Sequence, residues 1–298
     1  MNDRRKTTTV HSMNRGFGRF AAAMVLTALM LVGGATSPTA ARSLVAVDTT
    51  YPAAASRGVL ATSGGWAYCV QAQPLARHLH LTLVCGRYIR DGYTGPGLRH
   101  DRWLDWGNPA YLSELAATIA RVHRRTGGVL VLAGVSYSGY AVGVLAARHP
   151  ELRPDRLVIV DSYLNLQARR SHLADSHETA REIDRETGGT ATALMRRSPN
   201  IAGLVQLIRT GTDVRVVWTI SAAEQREFGG ATCDAPANAA TLASIATRLG
   251  RPMNGWVTRN RHGVTFWRYG TRLIEGQTVG TKVEFVPGGA IPPGAVCE

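Results

Sequence analysis

Lysine is nearly absent from this chain of 298 residues, in which Lys6 and Lys282 are the only two. Arginine therefore supplies almost all of the positive charge behind the formal net charge of +13. The arginines are scattered, and no basic stripe interleaved with aromatic residues occurs, so the composition argues against nucleic-acid binding. A GC-rich genome accounts for the preference for arginine, and the positive charge still favours anionic surfaces or substrates.

The chain also lacks an apolar run long enough for a membrane anchor. The run "AAAMVLTALMLVGG" has about 14 residues, whereas a spanning helix needs about 20. It follows a basic segment and precedes the small residues of "ATSPTAARS", which is the pattern of a secretory signal. We predict a signal peptide over residues 1–41, cleaved with Thr39 and Ala41 at the −3 and −1 positions. Cleavage removes five basic residues and one acidic residue, which leaves a formal charge of +9. The cleavage region contains no cysteine, so nothing there supports a lipid anchor.

Cysteine is scarce, and no pair of cysteines has metal-ligand spacing. The four cysteines are Cys69, Cys85, Cys233 and Cys297, and none belongs to a CxxC motif or a Cys/His cluster. We therefore expect no structural zinc. An even number of cysteines in an exported chain indicates disulfides, and four cysteines allow three pairings.

Beyond residue 41, short apolar runs alternate with longer amphipathic ones. The runs predict strands at 57–65, 79–86, 127–134, 157–161, 213–220 and 254–259, and helices at 67–79, 109–125, 137–149, 238–249 and 266–276. The strands are continuously apolar, which is typical of a parallel sheet covered by helices on both faces. The segment 164–212 is too long for an ordinary connection, so we expect one domain, 42–298, with a small helical cap inserted there.

The segment "GVSYSG" (134–139) lies between a predicted buried strand and a predicted helix. The small residues Gly134, Ser138 and Gly139 surround Ser136, as a sharp strand-to-helix turn requires. At such a turn the helix N-terminus points at the serine and favours negative charge on a bound carbonyl group. Ser136 is therefore a candidate nucleophile, and the alternative is a structural serine in an ordinary connection.

Most of residues 57–276 resemble the α/β-hydrolase superfamily. The resemblance rests on "GVSYSG" as a variant of the G-x-S-x-G motif, on "ARHPELRPDRLVIVDS" after it and on "ATSGGW" before it. It implies a mostly parallel sheet with helices on both faces and a cap. Ser138 departs from the motif by replacing its last glycine, and the short segment before 57 implies that the usual leading pair of strands is reduced.

The same resemblance assigns "SGG" (63–65) to the oxyanion loop, in the place usually held by His-Gly. Ser63 stands where that histidine would be. The chemistry needs backbone N–H groups at this position, and the expected donors are the N–H groups of Gly65 and Tyr137. The alternative for this segment is a plain glycine turn.

A serine hydroxyl becomes a good nucleophile only when a base removes its proton. Of the nine histidines, His262 alone follows the last predicted core strand, so it is the expected base; the alternative is a histidine on the surface. The acid that orients it belongs after the strand 213–220, where we favour Glu224 over Asp234. Asp161 is a third and weaker candidate, because a carboxylate in that position is more often structural.

The fold that the resemblance implies also selects a cysteine pairing. Its strands ending near residues 64 and 85 are neighbours, which brings Cys69 and Cys85 to the same edge of the sheet. The expected disulfides are therefore Cys69–Cys85 and Cys233–Cys297. The second would tie the C-terminal tail to the loop that holds the acid.

These features together predict a secreted, monomeric serine hydrolase that needs no cofactor or metal. A carboxylic-ester hydrolase is the favoured activity, with a small-molecule ester as substrate. "GVSYSG" and "HGVT" also resemble secreted tripeptidyl and prolyl aminopeptidases, so an exported exo-peptidase acting on short peptides is the first alternative. The departures at Ser63 and Ser138 keep a second alternative open, a catalytically silent binding protein. No nucleic-acid partner is expected, and no membrane association after the signal is removed.

Overall fold

The computed structural model describes six ranges of the chain. All six belong to the compact unit Arg42–Glu298. The described residues are 45–50, 55–64, 66–88, 107–171, 178–220 and 235–296.

Eight strands of the described residues form one sheet, in the order β1-β3-β2-β4-β5-β6-β7-β8. The six inner strands run parallel to one another, while β1 is antiparallel to β3 and β8 is antiparallel to β7. In chain order the strands are β1 (Val45–Thr50), β2 (Gly58–Ser63), β3 (Thr82–Tyr88), β4 (Val129–Val135), β5 (Arg156–Val160), β6 (Asp213–Thr219), β7 (Met253–Thr258) and β8 (Thr281–Phe285).

Helices connect the parallel strands and cover the sheet. They are α1 (Trp66–His78), α2 (Pro109–Thr126), α3 (Tyr137–Arg148), α4 (Leu166–Ser171), α5 (Glu178–Thr187), α6 (Ala191–Arg197), α7 (Ile201–Arg209), α8 (Ala235–Leu249) and α9 (Val264–Ile274). Pro74 lies inside α1, which forms nonetheless. At the start of α2, Pro109 occupies the first turn and the Asn108 side chain accepts hydrogen bonds from the N–H groups of Ala110 and Tyr111.

The strand β4 shows why the apolar runs are continuous. Its side chains alternate between the two faces of the sheet, and both faces are covered. Leu130 and Leu132 join the core under α2, α3, α7 and α8, whereas Val131 and Ala133 join a second core under α1 and α9. The predicted fold class, a mostly parallel sheet with helices on both faces, is confirmed.

The disulfide Cys69–Cys85 joins α1 to β3, as predicted, with both cysteines fully buried in the second core. The other predicted pair, Cys233–Cys297, lies outside the described residues. A buried disulfide of this kind is typical of proteins from oxidising compartments.

Two edge strands were not predicted from the sequence. The leading strand of the described residues, β1, pairs with β3. At the other edge β8 extends the sheet, although only Val283 and Phe285 of its five residues are buried. A short strand with one solvent-exposed face is difficult to recognise from its sequence.

The segment 164–212 contains the four helices α4 to α7 in its described part. The last of them, α7, packs against α3 and α8 and so forms part of a layer over the sheet. The cap therefore stays a prediction for the helices that precede α7. No helix of the described residues is both long and apolar enough to cross a membrane.

Candidate active site

Ser136 occupies a strained turn between β4 and α3. Its backbone has φ 54° and ψ −130°, a region that residues other than glycine rarely adopt. The turn is held by a hydrogen bond of 3.0 Å from the Ser136 N–H to the carbonyl oxygen of Val160 on the neighbouring strand. Strain of this kind persists only where the surroundings enforce it, and it is the conformation that exposes a serine at the end of a strand.

The glycines beside Ser136 are required by close packing. A Cβ atom on Gly134 would lie 2.6 Å from the backbone of Ser138, and one on Gly139 would lie 2.7 Å from Cβ of Ser162. Both distances are shorter than side chains tolerate. The turn therefore needs glycine at both positions, as the motif suggested.

The departure from the motif at Ser138 has a structural explanation. The Ser138 hydroxyl is buried and forms a hydrogen bond of 2.9 Å with the hydroxyl of Thr62 on β2. It therefore fits the crowded turn and also joins the elbow to the strand that leads into the expected oxyanion loop. A buried hydroxyl without such a partner would be costly, so the two residues depend on each other.

The second departure, at Ser63, is explained in the same way. The Ser63 hydroxyl lies 2.7 Å from that of Tyr111, which is fully buried on α2. Burial raises the pKa of Tyr111, and the hydrogen bond to Ser63 opposes that rise. The adjacent Gly64 N–H donates to the carbonyl oxygen of Gly86 at 3.0 Å. The start of the loop is thus fixed by side-chain and backbone bonds.

Tyr137 is the expected oxyanion donor that belongs to the described residues. Gly65 lies outside the described residues. Tyr137 is the first residue of α3, where backbone N–H groups have no partner within the helix and the helix dipole is positive. Its N–H group is therefore in a position suited to an anion beside Ser136.

Tyr68 is a residue near Ser136 that was not predicted from the sequence. Burial raises the pKa of Tyr68, and the nearby Ser136 side chain, as a hydrogen-bonding group, opposes that rise. The only signal in the sequence is its place at the third position of the helix that follows the Gly-Gly turn.

His262 lies in the turn before α9 and is half-buried. The next residue, Gly263, has φ 73° and is the N-cap residue of α9. A Cβ atom on Gly263 would lie 3.8 Å from Cγ2 of Val135, the residue before Ser136. The chain at His262 is therefore adjacent to the chain at Ser136, although 126 positions of sequence numbering separate the two residues.

Asp161, the third candidate acid, contacts this turn directly. It is 2% exposed and its φ is 44°. One carboxylate oxygen accepts a 2.8 Å hydrogen bond from the Gly263 N–H, and the other accepts a 2.9 Å bond from the Thr219 hydroxyl. Asp161 thus ties the end of β5 to the residue after His262. The favoured acid Glu224 and its alternative Asp234 lie outside the described residues.

A chain of hydroxyl groups continues from Asp161 to the start of α9. Thr219 lies 3.2 Å from Thr258, and Thr258 lies 3.1 Å from Thr265. The Asn260 amide donates to Thr265 at 3.1 Å. These bonds join the ends of β6 and β7 to the first turn of α9, so the segment that carries His262 is held from both sides.

The comparisons with known proteins concern the fold. No protein-family model and no curated protein sequence matches the chain. Among solved structures, an acylaminoacyl peptidase from Pyrococcus horikoshii is similar with a TM-score of 0.50 and 11% identity, over 76% of this chain and 39% of that chain. A poly(3-hydroxybutyrate) depolymerase from Bordetella parapertussis gives a TM-score of 0.44 and 15% identity, over 76% of this chain and 82% of that one.

A third structure, that of a putative aryl esterase from Burkholderia cenocepacia, has a TM-score of 0.43 and 15% identity, over 78% of this chain and 91% of that chain. The present chain spans less than two fifths of the length of the acylaminoacyl peptidase. At such low identity the likeness concerns the arrangement of strands and helices.

Proposed function

We propose that this chain, which has the α/β-hydrolase fold, is a serine hydrolase that transfers an acyl group from its substrate to water. The observation that carries the proposal is the strained conformation of Ser136 at the end of β4, beside the turn that bears His262. A buried network that maintains such strain at one serine is expected where the serine reacts. This fold hosts many reactions, so the site and not the fold carries the argument.

In the proposed reaction the Ser136 hydroxyl attacks the substrate carbonyl carbon while His262 takes its proton. The carbonyl oxygen becomes an oxyanion, held by the N–H groups of Tyr137 and Gly65. His262 then gives the proton to the leaving alcohol or amine, and the acyl group remains on Ser136. Water attacks this ester with His262 again as base, which releases the acid and restores the serine.

In this proposal carboxylates support His262 in two ways. Glu224, or Asp234 as the alternative, accepts the hydrogen bond from the imidazole and fixes its tautomer. Asp161 acts on the backbone, because its hydrogen bond to Gly263 holds the turn in place. We therefore assign Asp161 a positioning role.

The hydrogen bonds at Ser63 and Ser138 argue against a silent binding protein. Both departures from the family motif are filled by bonded side chains that preserve the turn and the loop. A site that had lost its function would have no reason to retain strain at Ser136.

A carboxylic ester is the substrate that we propose, with a short peptide as the competing class. A panel of p-nitrophenyl esters and aminoacyl anilides distinguishes them. We expect turnover of the esters with little cleavage of the anilides. Cleavage of the anilides alone would replace the esterase by an exo-peptidase, and hydrolysis of neither would favour a binding protein.

Export is proposed for the same chain. The support is the signal-like N-terminus together with the disulfide Cys69–Cys85. N-terminal sequencing of the protein recovered from the culture medium should start at Arg42. A protein retained in the cell with residue 1 intact would contradict this.

A further inference from the structure

A cavity of about 770 Å³ lies among the helices α2, α3, α6, α7 and α8, and arginine dominates the polar part of its wall. No aspartate or glutamate occurs among the described residues that line it. The cavity therefore collects four positive charges with no described carboxylate in its wall to balance them. The four arginines are Arg148, Arg196, Arg197 and Arg248.

The ends of three helices bring these arginines together. Arg148 lies in the last turn of α3, Arg196 and Arg197 in that of α6, and Arg248 in that of α8. An arginine in the last turn suits each helix by itself, because the helix dipole is negative there. The guanidinium group of Arg148 also donates a hydrogen bond to the carbonyl oxygen of Arg196, which joins α3 to α6. The stability of a single helix, however, does not require three basic ends to meet at one cavity.

The charges at the cavity lack the compensation that a neighbouring arginine has. Within the part of the chain that the structure describes, no carboxylate forms an ion pair with Arg148, Arg196 or Arg248. Arg170 of the same helical segment, in contrast, pairs with Asp184. Guanidinium groups are permanently charged, and like charges around a concave surface raise the local potential and attract anions. The cavity is therefore suited to a ligand of negative charge.

The size and the remaining wall of the cavity narrow the kind of anion. Its volume falls within the range of about 300–1,000 Å³ that is usual for small-molecule sites, and it is far larger than a single halide ion needs. Apolar side chains form part of the wall, so the ligand can include carbon as well as charged groups. Guanidinium groups bind phosphate and carboxylate oxygens with two parallel hydrogen bonds. The apolar residues include Pro109, Met195, Pro199 and Ile201.

We propose that this cavity binds a small molecule with two or more oxyanion groups, either phosphate or carboxylate. The site is separate from the one at Ser136. Arg148 lies at the opposite end of α3, which has 12 residues and therefore spans about 18 Å. The inference thus goes beyond the proposed hydrolase activity and does not depend on it.

Titration calorimetry with pyrophosphate and with citrate tests the proposal, with the ionic strength held constant by sodium chloride. We expect one saturable site per wild-type chain for at least one of the two anions, and the anion that binds more tightly distinguishes phosphate from carboxylate recognition. The double variant Arg196→Gln and Arg248→Gln removes two exposed charges and leaves Arg148 in place. Its affinity should fall by roughly 10²-fold, because each hydrogen bond between charged groups is worth about tenfold or more.

The matched control is the double variant Arg124→Gln and Arg125→Gln. These two arginines are exposed in the last turn of α2 and do not line the cavity, so their removal changes the net charge by the same amount. The control should bind the anion like the wild type. An equal loss of affinity in both double variants would overturn the proposal, because it would assign the binding to net charge. Wild-type protein that binds neither anion at constant ionic strength would also overturn it.

Two further measurements keep the outcome interpretable. Ser136→Ala should bind the anion with unchanged affinity, so a failure of the proposed hydrolase activity and a failure of this site are observed separately. Melting temperatures without anion show whether the cavity variants fold. Loss of binding only together with a large fall in Tm would count against the site, whereas loss in the single variant Arg196→Gln at unchanged Tm would support it.

Discussion

The carboxyl edge of the sheet and the helical segment 166–209 use polar side chains in different ways. At the edge, the hydroxyls of Thr62 and Ser138 and the carboxylate of Asp161 are buried and bonded to residues of other strands, helices or turns. Two residues there, Ser136 and Asp161, have left-handed φ angles without being glycine.

The helical segment has buried polar contacts too, such as the hydrogen bond from the Leu166 N–H to the Ser198 hydroxyl, but its ion pair is partly exposed. Arg170 and Asp184 form a two-pronged ion pair between α4 and α5, with 20% and 38% of the side chains exposed. Thr190 and Asn200 cap the starts of α6 and α7. Among the described residues of these two regions, non-glycine residues with positive φ occur only at the edge, and such strain is expected where chemistry takes place. The substitutions below should therefore have large effects on activity at the edge and small effects on stability in the segment.

The largest effect is expected at the strained serine. Ser136→Ala removes the proposed nucleophile, and loss of a nucleophile that acts together with its base can lower kcat by about 10⁶. Ser244→Ala, on the exposed face of α8, is the matched control and should retain full activity. The measurement is ester hydrolysis by both variants, with circular dichroism to show that the fold is kept. Near-normal turnover by Ser136→Ala would show that Ser136 is not the nucleophile, and it would contradict the contrast drawn between the edge and the helical segment.

The next largest loss of kcat should distinguish the two candidate acids, Glu224 and Asp234. We expect Glu224→Gln to lower kcat by as much as about 10⁴, because the amide stabilises the wrong tautomer of His262. Asp234→Asn should then stay near normal. A large loss of kcat in Asp234→Asn, with near-normal kcat in Glu224→Gln, would make Asp234 the acid and strengthen the peptidase alternative.

A substitution of Asp161 tests whether this carboxylate at the edge of the sheet has a structural or a catalytic role. Asp161→Asn weakens the buried bonds to Gly263 and Thr219, and hydrogen bonds to charged groups contribute about 1.5–3 kcal/mol each. We expect a clear loss of stability in urea unfolding, with a smaller loss of kcat than for the true acid. A 10⁴-fold loss of kcat at unchanged stability would make Asp161 the acid instead.

We expect the disulfide Cys69–Cys85 to stabilise the packing of α1 on β3 without taking part in the reaction. Closing a loop of 16 residues is worth about 3 kcal/mol, so replacing Cys69 and Cys85 together by alanine should lower Tm by roughly 6–12 °C. Activity at low temperature should be kept. Reduction of the wild-type protein serves as the control, and an unchanged Tm in both experiments would be inconsistent with the structure.

The smallest effect is expected in the helical segment. Hydrogen bonds from Arg170 lower the pKa of Asp184, with the nearby charge adding to this and burial opposing it. The pair therefore stabilises the fold above the ordinary pKa of aspartate, about 3.9, and this contribution is lost as the pH falls through the lowered value. Asp184→Asn should cost less than about 1 kcal/mol near neutral pH and nothing in strong acid. Urea unfolding at both pH values measures the difference, and a loss that persists in acid would exclude the ion pair as its cause.

Local patterns in the sequence were sufficient for the inner strands and the turn at Ser136, whereas the pair Cys69–Cys85 was predicted from the fold that the resemblance implies. Continuous apolar runs and small residues around one serine are properties of neighbouring positions, so they can be recognised without the fold. The edge strand β8 was missed because only alternate residues of its second half are buried.

The contacts that support the site could not be predicted in this way. Asp161 and Gly263 are 102 positions apart, and Ser63 and Tyr111 are 48 apart. Only the packing of the layers brings them together, and neither partner is unusual in its own segment. Tyr68 was overlooked for the same reason, since it comes near Ser136 only in the folded chain.

The central claim is that Ser136 is a reactive nucleophile, and a fluorophosphonate tests it most directly. The reagent forms a bond from its phosphorus to Oγ of an activated serine and releases fluoride. We predict one label per wild-type chain, located on Ser136 by peptide mapping, and none on Ser136→Ala. A wild-type protein that remains unlabelled, or a label on another serine, would contradict the account.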